Sequence, residues 1–239
     1  MGETSHKINE LASLLKNAHY TVILTGAGMS TESGIPDFRS REGLWQKFDP
    51  MRVARPETIR EDYDAFHGFY KMRVETLKEC KPHEGHLIVA RMEKEGIVKT
   101  LVTQNVDDFH RIAGSEKVYN LHGSIRTFRC HDCLSPADET AFLGKKPCGF
   151  CGGRLRPNVV LFGEGLPHND LNEAISEIEK ADLIIVIGTS LRVYPVNQLP
   201  FMAKAIKVYI NREMEFQSSF DLTIQGSAKD VLVELEKLL

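Results

Sequence analysis

The sequence predicts an α/β fold, a parallel sheet covered on both faces by helices and joined to a smaller module. Three observations predict it. Short apolar runs alternate with amphipathic helical segments along most of the 239 residues. The apolar runs end repeatedly in small or polar residues: Thr25-Gly26-Ala27-Gly28, Thr103-Gln104-Asn105-Val106-Asp107, His122-Gly123-Ser124, Gly188-Thr189-Ser190, Asn211 and Gly226-Ser227-Ala228. In a doubly wound sheet such strand ends share one edge, and ligands bind in the crevice there. Two stretches, 35–81 and 126–156, break the alternation and form the smaller module.

The elements follow in order. Ile8, Leu11, Ala12 and Leu15 recur at helical spacing. Tyr20 to Leu24 is a strand. The stretch 35–81 is mostly helical around a Pro-Asp-Phe-Arg turn. Leu87 to Glu95 is a helix stopped by Gly96, the residue that tolerates a left-handed helix end. Val98 to Val102 and Val118 to Leu121 are strands. Asn169 is placed to cap a helix whose apolar face is Leu171, Ala174, Ile178 and Ala181. Leu183 to Ile187, wholly apolar, suits a strand buried on both faces. Lys207 to Ile210 and Leu222 to Ile224 are further strands, and Val231, Leu232, Leu235 and Leu239 line a last helix.

Composition narrows the function classes. Lys+Arg 30 against Asp+Glu 33 gives a net charge of -3, so no global basic field attracts nucleic acid or anionic lipid. The cluster Lys145, Lys146, Arg154 and Arg156 reads as a solvated face. No apolar run approaches the roughly 20 residues of a membrane span. The N-terminal stretch is charged and amphipathic, without a secretory core, and His6 stands where a myristoylation signal has Ser or Thr. A cytoplasmic location is the expectation.

Four of the 5 cysteines fall as Cys130-x2-Cys133 and Cys148-x2-Cys151. Two such knuckles suit one tetrahedral, all-thiolate Zn2+ site. Four protein ligands leave no open coordination position, so the zinc is expected to be structural. Glycines in Cys148-Gly-Phe-Cys151-Gly-Gly allow the tight turn a knuckle needs. Cys80 reads as a helix-end core residue.

Gly26-Ala27-Gly28-Met29-Ser30-Thr31-Glu32-Ser33-Gly34 follows the first strand and suits close backbone approach to a pyrophosphate, with free N–H groups at the next helix start. It fits neither the G-x-G-x-x-G nor the Walker pattern. Its company carries more weight: Gly26 through Arg39 (GAGMSTESGIPDFR), Thr103-Gln-Asn-Val-Asp107, Leu121-His-Gly123, the two knuckles, Val160-Leu-Phe-Gly-Glu164 and Gly188-Thr-Ser190, in that order and spacing. From about Tyr20 to the last helix the chain resembles the sirtuin family.

That resemblance implies a Rossmann-like NAD-binding domain over 1–35, 82–125 and 157–239, a cofactor loop and helical insertion over 36–81, and a zinc ribbon over 126–156. It implies NAD+ as cosubstrate and acyl-lysine proteins or peptides as partners, with free lysine, nicotinamide and O-acyl-ADP-ribose as products. His122 resembles the family's general base, a role suited to a group whose unperturbed pKa is about 6.5. Asn105 and Asp107 resemble the residues that orient the nicotinamide carboxamide and its ribose, with Gln104 a ribose contact. The resemblance places Gly26, Ala27, Gly28 and Ser30 at the cofactor. It puts Asp37, Phe38 and Arg39 on a flexible loop, with Phe38 shielding the reacting carbon and Arg39 meeting phosphate. It gives Gly188, Thr189 and Ser190 to phosphate and ribose, and Asn211 and Ala228 to the adenosine. Val160, Phe162, Gly163 and Glu164 resemble a strand that pairs with the substrate backbone.

Tyr70 and Arg73 stand three apart on one helical face, near Ala54. They resemble the Tyr-x-x-Arg pair of the class III sirtuins, which implies a pocket for succinyl or malonyl lysine as well as acetyl lysine. The plainer reading has Arg73 solvated beside Lys71 and Glu75. The competing activities are predominant deacetylation and protein mono-ADP-ribosylation.

Overall fold

The computed structural model describes residues 2–214 and 217–239. In chain order its strands are β1 (Thr21–Thr25), β2 (Val98–Thr103), β3 (Val118–Asn120), β4 (Gly123–Cys130), β5 (Pro136–Ala137), β6 (Leu155–Val159), β7 (Leu183–Ile187), β8 (Ile206–Asn211) and β9 (Leu222–Gln225). Six of them form a parallel sheet in the order β3-β2-β1-β7-β8-β9. From β1 the chain winds outward to β2 and β3, then crosses back to β7 and winds the other way. The reversal falls between β1 and β7, and in such sheets the crevice opens beyond that switch point.

Alternation along the strands decides which helix covers which face, because successive side chains point to opposite sides. Ile23, Leu101, Ile185, Ile187, Val208 and Ile210 pack against the helices Glu3–Asn17, Glu84–Lys94 and Ala228–Glu236. Val22, Leu24, Val102, Ile184, Val186 and Tyr209 meet Ala174 and Ile178 of the helix His168–Glu179. Each fully buried aliphatic side chain contributes about 1.5–3 kcal/mol relative to exposure. The helix Glu84–Lys94 ends as its glycine predicts. Gly96 sits at φ +76, and Ile97 N–H donates to the Met92 carbonyl at 2.9 Å.

The smaller part is a three-stranded antiparallel sheet, β5-β4-β6, packed against the helix Tyr63–Glu79. Phe66, Phe69 and Tyr70 from that helix share one core with Phe128, Phe142 and Leu155. No described helix is long and apolar enough to cross a membrane.

Three local readings need correction. Asn169 does not cap its helix, which begins at His168 after Pro167, so the asparagine lies inside the first turn. Leu239 lies beyond the last helix, which ends at Glu236, and is 38% exposed. Arg156 is not part of a solvated face: it is 1% exposed, the largest fully buried side chain among the described residues.

Candidate active site

A cleft of about 740 Å³ opens beyond the switch point. Every cofactor, catalytic and substrate residue selected from sequence lines it except Gly26, which is buried behind it. The glycines act first on one another. Gly28 N–H donates to the Gly188 carbonyl at 2.7 Å, and a Cβ on Gly28 would stand 2.8 Å from the Gly188 Cα. Gly188 itself is at φ +62. The two loops leaving β1 and β7 are therefore fused backbone to backbone at the cleft floor, a closeness only glycine permits. Residues Ala27–Ser33 form a 3-10 helix, and Met29 N–H is taken by the Gly26 carbonyl at 2.9 Å. Of the N–H groups at this helix start, those of Gly28 and Met29 are thus engaged within the protein.

Beyond this floor lies a buried polar chain. Asn105 Nδ2 donates to Ser30 Oγ at 3.1 Å, and Ser30 Oγ donates to Asp107 Oδ2 at 2.7 Å. Asp107 Oδ1 accepts from Phe109 N–H at 2.9 Å. Burial pushes the Asp107 carboxyl above its ordinary value, against the pull of these two hydrogen bonds. Asn105 N–H donates to Thr103 Oγ1 at 3.0 Å, which also meets Thr25 Oγ1 at 2.8 Å. His110 Nε2 lies 3.0 Å from that same Thr25 hydroxyl, and His83, His86 and His110 form a buried row behind the chain, their rings tilted and their centres 4.3 and 5.0 Å apart. Sequence reasoning missed these histidines; they follow no motif and meet only in the fold.

His122 follows β3, half-buried. Its Nδ1 lies 3.0 Å from the Gln104 carbonyl, an acceptor, so Nδ1 carries the proton and Nε2 keeps a lone pair. Burial lowers its pKa, the Gln104 bond opposes that, and Arg39 adds to it. Gln104 Nε2 donates to Thr189 Oγ1 at 3.0 Å, tying the β2 loop to the β7 loop. Farther along, Asn211 Nδ2 donates to the Tyr209 hydroxyl at 2.7 Å, which donates to the Thr189 carbonyl at 2.8 Å.

The helical insertion closes the other side. Arg73 does not stand in solvent: Lys71 pairs with Glu75, while the Arg73 guanidinium lies 5.1 Å from the Phe38 ring centre, 5.5 Å from Phe69 and 5.6 Å from Tyr70. Burial lowers its pKa, and Tyr70 and Asp107 counteract this. Trp45 joins the group, 5.0 Å from Phe38, 5.9 Å from Phe69 and 6.2 Å from Phe162. No motif marks Trp45, because its neighbours come from three separate segments. The stretch from Val160 to Glu164 is not the expected strand. β6 stops at Val159, and Glu164 N–H donates to the Leu161 carbonyl at 3.0 Å around Gly163 at φ +92. A left-handed third position closing a four-residue turn is where glycine is favoured.

Away from the cleft, the Sγ atoms of Cys130, Cys133, Cys148 and Cys151 all lie within 4.8 Å of one another, and none is in a disulfide. A zinc ion with bonds of about 2.3 Å sets tetrahedral sulfurs about 3.8 Å apart. Here Cys130–Cys151 is 3.5 Å and Cys133–Cys148 is 3.7 Å, so the residues fit the ion. Phe150 and Gly153 N–H each donate to a knuckle sulfur at 3.4 Å, which favours the thiolate.

The Sir2 family profile matches residues 26–195. A NAD-dependent protein deacetylase of Geobacillus kaustophilus is 48% identical over 236 residues, covering 96% of this chain and 97% of that one. A NAD-dependent protein deacylase of Pyrococcus furiosus is 40% identical, covering 95% and 96%. Among solved structures, a Sir2 enzyme superposes with a TM-score of 0.91 at 38% identity, over 98% of both chains. A complex described as Sir2, p53 peptide and NAD+ gives 0.85 at 31%, over 95% of this chain and 96% of that one. With similarity this broad, running through every loop of the cleft, the chain belongs to the Sir2 family.

Proposed function

We propose that this chain is an NAD+-dependent protein-lysine deacylase whose acyl pocket takes succinyl and malonyl groups as well as acetyl. Membership of the Sir2 family carries the first part: the enzyme removes acyl groups from lysine with NAD+ as cosubstrate. Bound NAD+ supplies a ribose carbon activated by its nicotinamide leaving group. The chain's own residues do the rest. Asn105 and Asp107, tied through Ser30, present an amide and a carboxyl at fixed separation to the carboxamide and ribose. His122, held by Gln104 with Nε2 unprotonated, takes a proton from a ribose hydroxyl. Phe38 covers the reacting carbon from water. Asn211 and Ala228 line the same cavity of about 740 Å³ as His122, which supports a dinucleotide.

One observation carries the acidic-acyl part. Arg73 is turned inward among three aromatic rings, with no carboxylate in ion-pair distance among the described residues. Tyr70, 3% exposed, stands beside it, and Ala54, 5% exposed, leaves room on the cleft wall. A guanidinium so placed can take a distal carboxylate through two parallel N–H bonds. The test is turnover of matched succinyl- and acetyl-lysine peptides by wild type and Arg73→Met. Selective loss of desuccinylation supports the pocket, and equal effects on both acyl groups would refute it.

A further inference from the structure

The turn from Leu161 to Glu164 lies on the cleft wall, and its position depends on a buried ion pair. Arg156, in β6, donates from Nη1 to Glu164 Oε1 at 2.6 Å and from Nη2 to Glu164 Oε2 at 2.8 Å. The same Nη2 donates to the Val159 carbonyl at 2.6 Å. Glu164 Oε2 also accepts Leu161 N–H at 2.8 Å, so the carboxylate closes its own turn while the guanidinium grips it. Two backbone bonds splice this turn to the rest of the cleft: Val160 N–H to the His122 carbonyl and Phe162 N–H to the Ala54 carbonyl, both at 2.9 Å. The turn therefore bridges the base and the acyl-pocket wall.

The surrounding charge makes Glu164 necessary. Arg129 of β4 stands opposite Arg156 in the antiparallel register, and its Nε is buried without a hydrogen-bond partner. Two like charges facing across strands repel. Among the described residues Glu164 is the only carboxylate in ion-pair contact with either arginine. Burying such a pair adds little to stability against an apolar replacement, yet breaking it leaves an uncompensated charge. Its value lies in fixing where the turn sits.

We propose that Arg156 and Glu164 are positioning residues for the acyl-lysine substrate: their bidentate pair sets the 161–164 turn that receives the peptide and leaves the cofactor half of the cleft unaffected. This rests on the reading of the turn as a substrate surface.

The test compares wild type, Glu164→Gln and Arg156→Lys for binding of an acetyl-lysine peptide by fluorescence anisotropy and of ADP-ribose by calorimetry, with thermal unfolding as the fold control. Glu164→Gln keeps the shape and an acceptor for Leu161 but removes the charge. Arg156→Lys keeps the charge but removes the fork. The expected result is peptide affinity weakened about tenfold in both variants, with ADP-ribose bound within about twofold of wild type. Kinetically, peptide KM rises while kcat at saturating peptide is retained. Unchanged peptide affinity in either folded variant overturns the proposal, as does equal weakening of both ligands, which marks a purely structural pair. Should Glu164→Gln fail to fold, Arg156→Lys decides alone. Wild type that binds ADP-ribose but no acyl-lysine peptide would instead overturn the proposed function itself.

Discussion

His122 and Gln104 meet through one hydrogen bond of 3.0 Å, from the imidazole Nδ1 to a backbone carbonyl, and that bond fixes the tautomer the chemistry needs. A carbonyl cannot donate, so the opposite nitrogen holds the lone pair on the cleft side. Burial lowers the pKa of His122, which keeps the proposed base unprotonated at neutral pH. His122→Ala is expected to lower kcat by about 10²–10⁴-fold while the protein still binds ADP-ribose. The acid limb of kcat/KM against pH for wild type should fall below about 6.5. A limb above that value would contradict the burial argument.

The acyl pocket predicts a selective loss. A charge-assisted hydrogen bond contributes about 1.5–3 kcal/mol, so Arg73→Met should reduce desuccinylation kcat/KM at least tenfold. Deacetylation should change far less or improve, because an acetyl group leaves the guanidinium unpaired. Tyr70→Phe should act in the same direction with smaller size. Steady-state kinetics on both peptides checks this.

Much of this was legible in the sequence, for a physical reason. β7 is apolar at all five positions and buried at all five, so its period could not be misread. The residues following the parallel strands converge because the topology puts strand ends on one edge. The knuckle spacing gave the four sulfurs directly. What the sequence concealed depends on long-range partners. Arg156 belongs in sequence to a loose basic cluster with Lys145, Lys146 and Arg154, yet its partner lies eight residues ahead across a turn. The family resemblance implies a strand over Val160 to Glu164, but Gly163 at φ +92 and the Glu164 carboxylate, which accepts Leu161 N–H, fold that stretch into a turn. His86 and His110 come together only when the helix Glu84–Lys94 packs beside the β2 loop.

Those histidines predict an acid sensitivity of the fold. Burial, with a neighbouring histidine adding to it, brings His86 down to about 2 and His110 to about 3. Both are neutral in the folded state, whereas the unfolded chain takes up their protons near 6.5. Their contribution is complete above the unfolded pKa and is lost as pH falls from there toward the folded values. From pH 6.5 to 5 each should cost about 2 kcal/mol of stability. Urea midpoints across that range should drop more steeply for wild type than for His110→Gln.

Gly188→Ala tests the fused loops. The left-handed backbone at φ +62 costs a side chain about 1–2 kcal/mol, and the new Cβ would stand 2.5 Å from the Gly28 carbonyl carbon. The variant should lose about 2–4 kcal/mol of stability and bind ADP-ribose more weakly. Denaturation and calorimetry on one preparation measure both.

Removing zinc should unfold the three-stranded sheet, since metal binding energy in such sites is folding energy. The helix Tyr63–Glu79 packs on that sheet, so Tyr70 and Arg73 lose their support as well. Chelation or Cys148→Ser should lower Tm by roughly 10 °C and reduce acyl-peptide turnover. A metal-free protein with full activity and unchanged melting would refute this coupling.

The most direct measurement incubates the enzyme with NAD+ and matched succinyl- and acetyl-lysine peptides and follows the products by mass spectrometry. Free lysine peptide, nicotinamide and O-acyl-ADP-ribose are expected from both, with desuccinylation lost in Arg73→Met and both reactions lost in His122→Ala. Turnover of acetyl peptide alone, indifferent to Arg73, would contradict the acidic-acyl pocket. ADP-ribose retained on protein without deacylation would contradict the deacylase reading altogether.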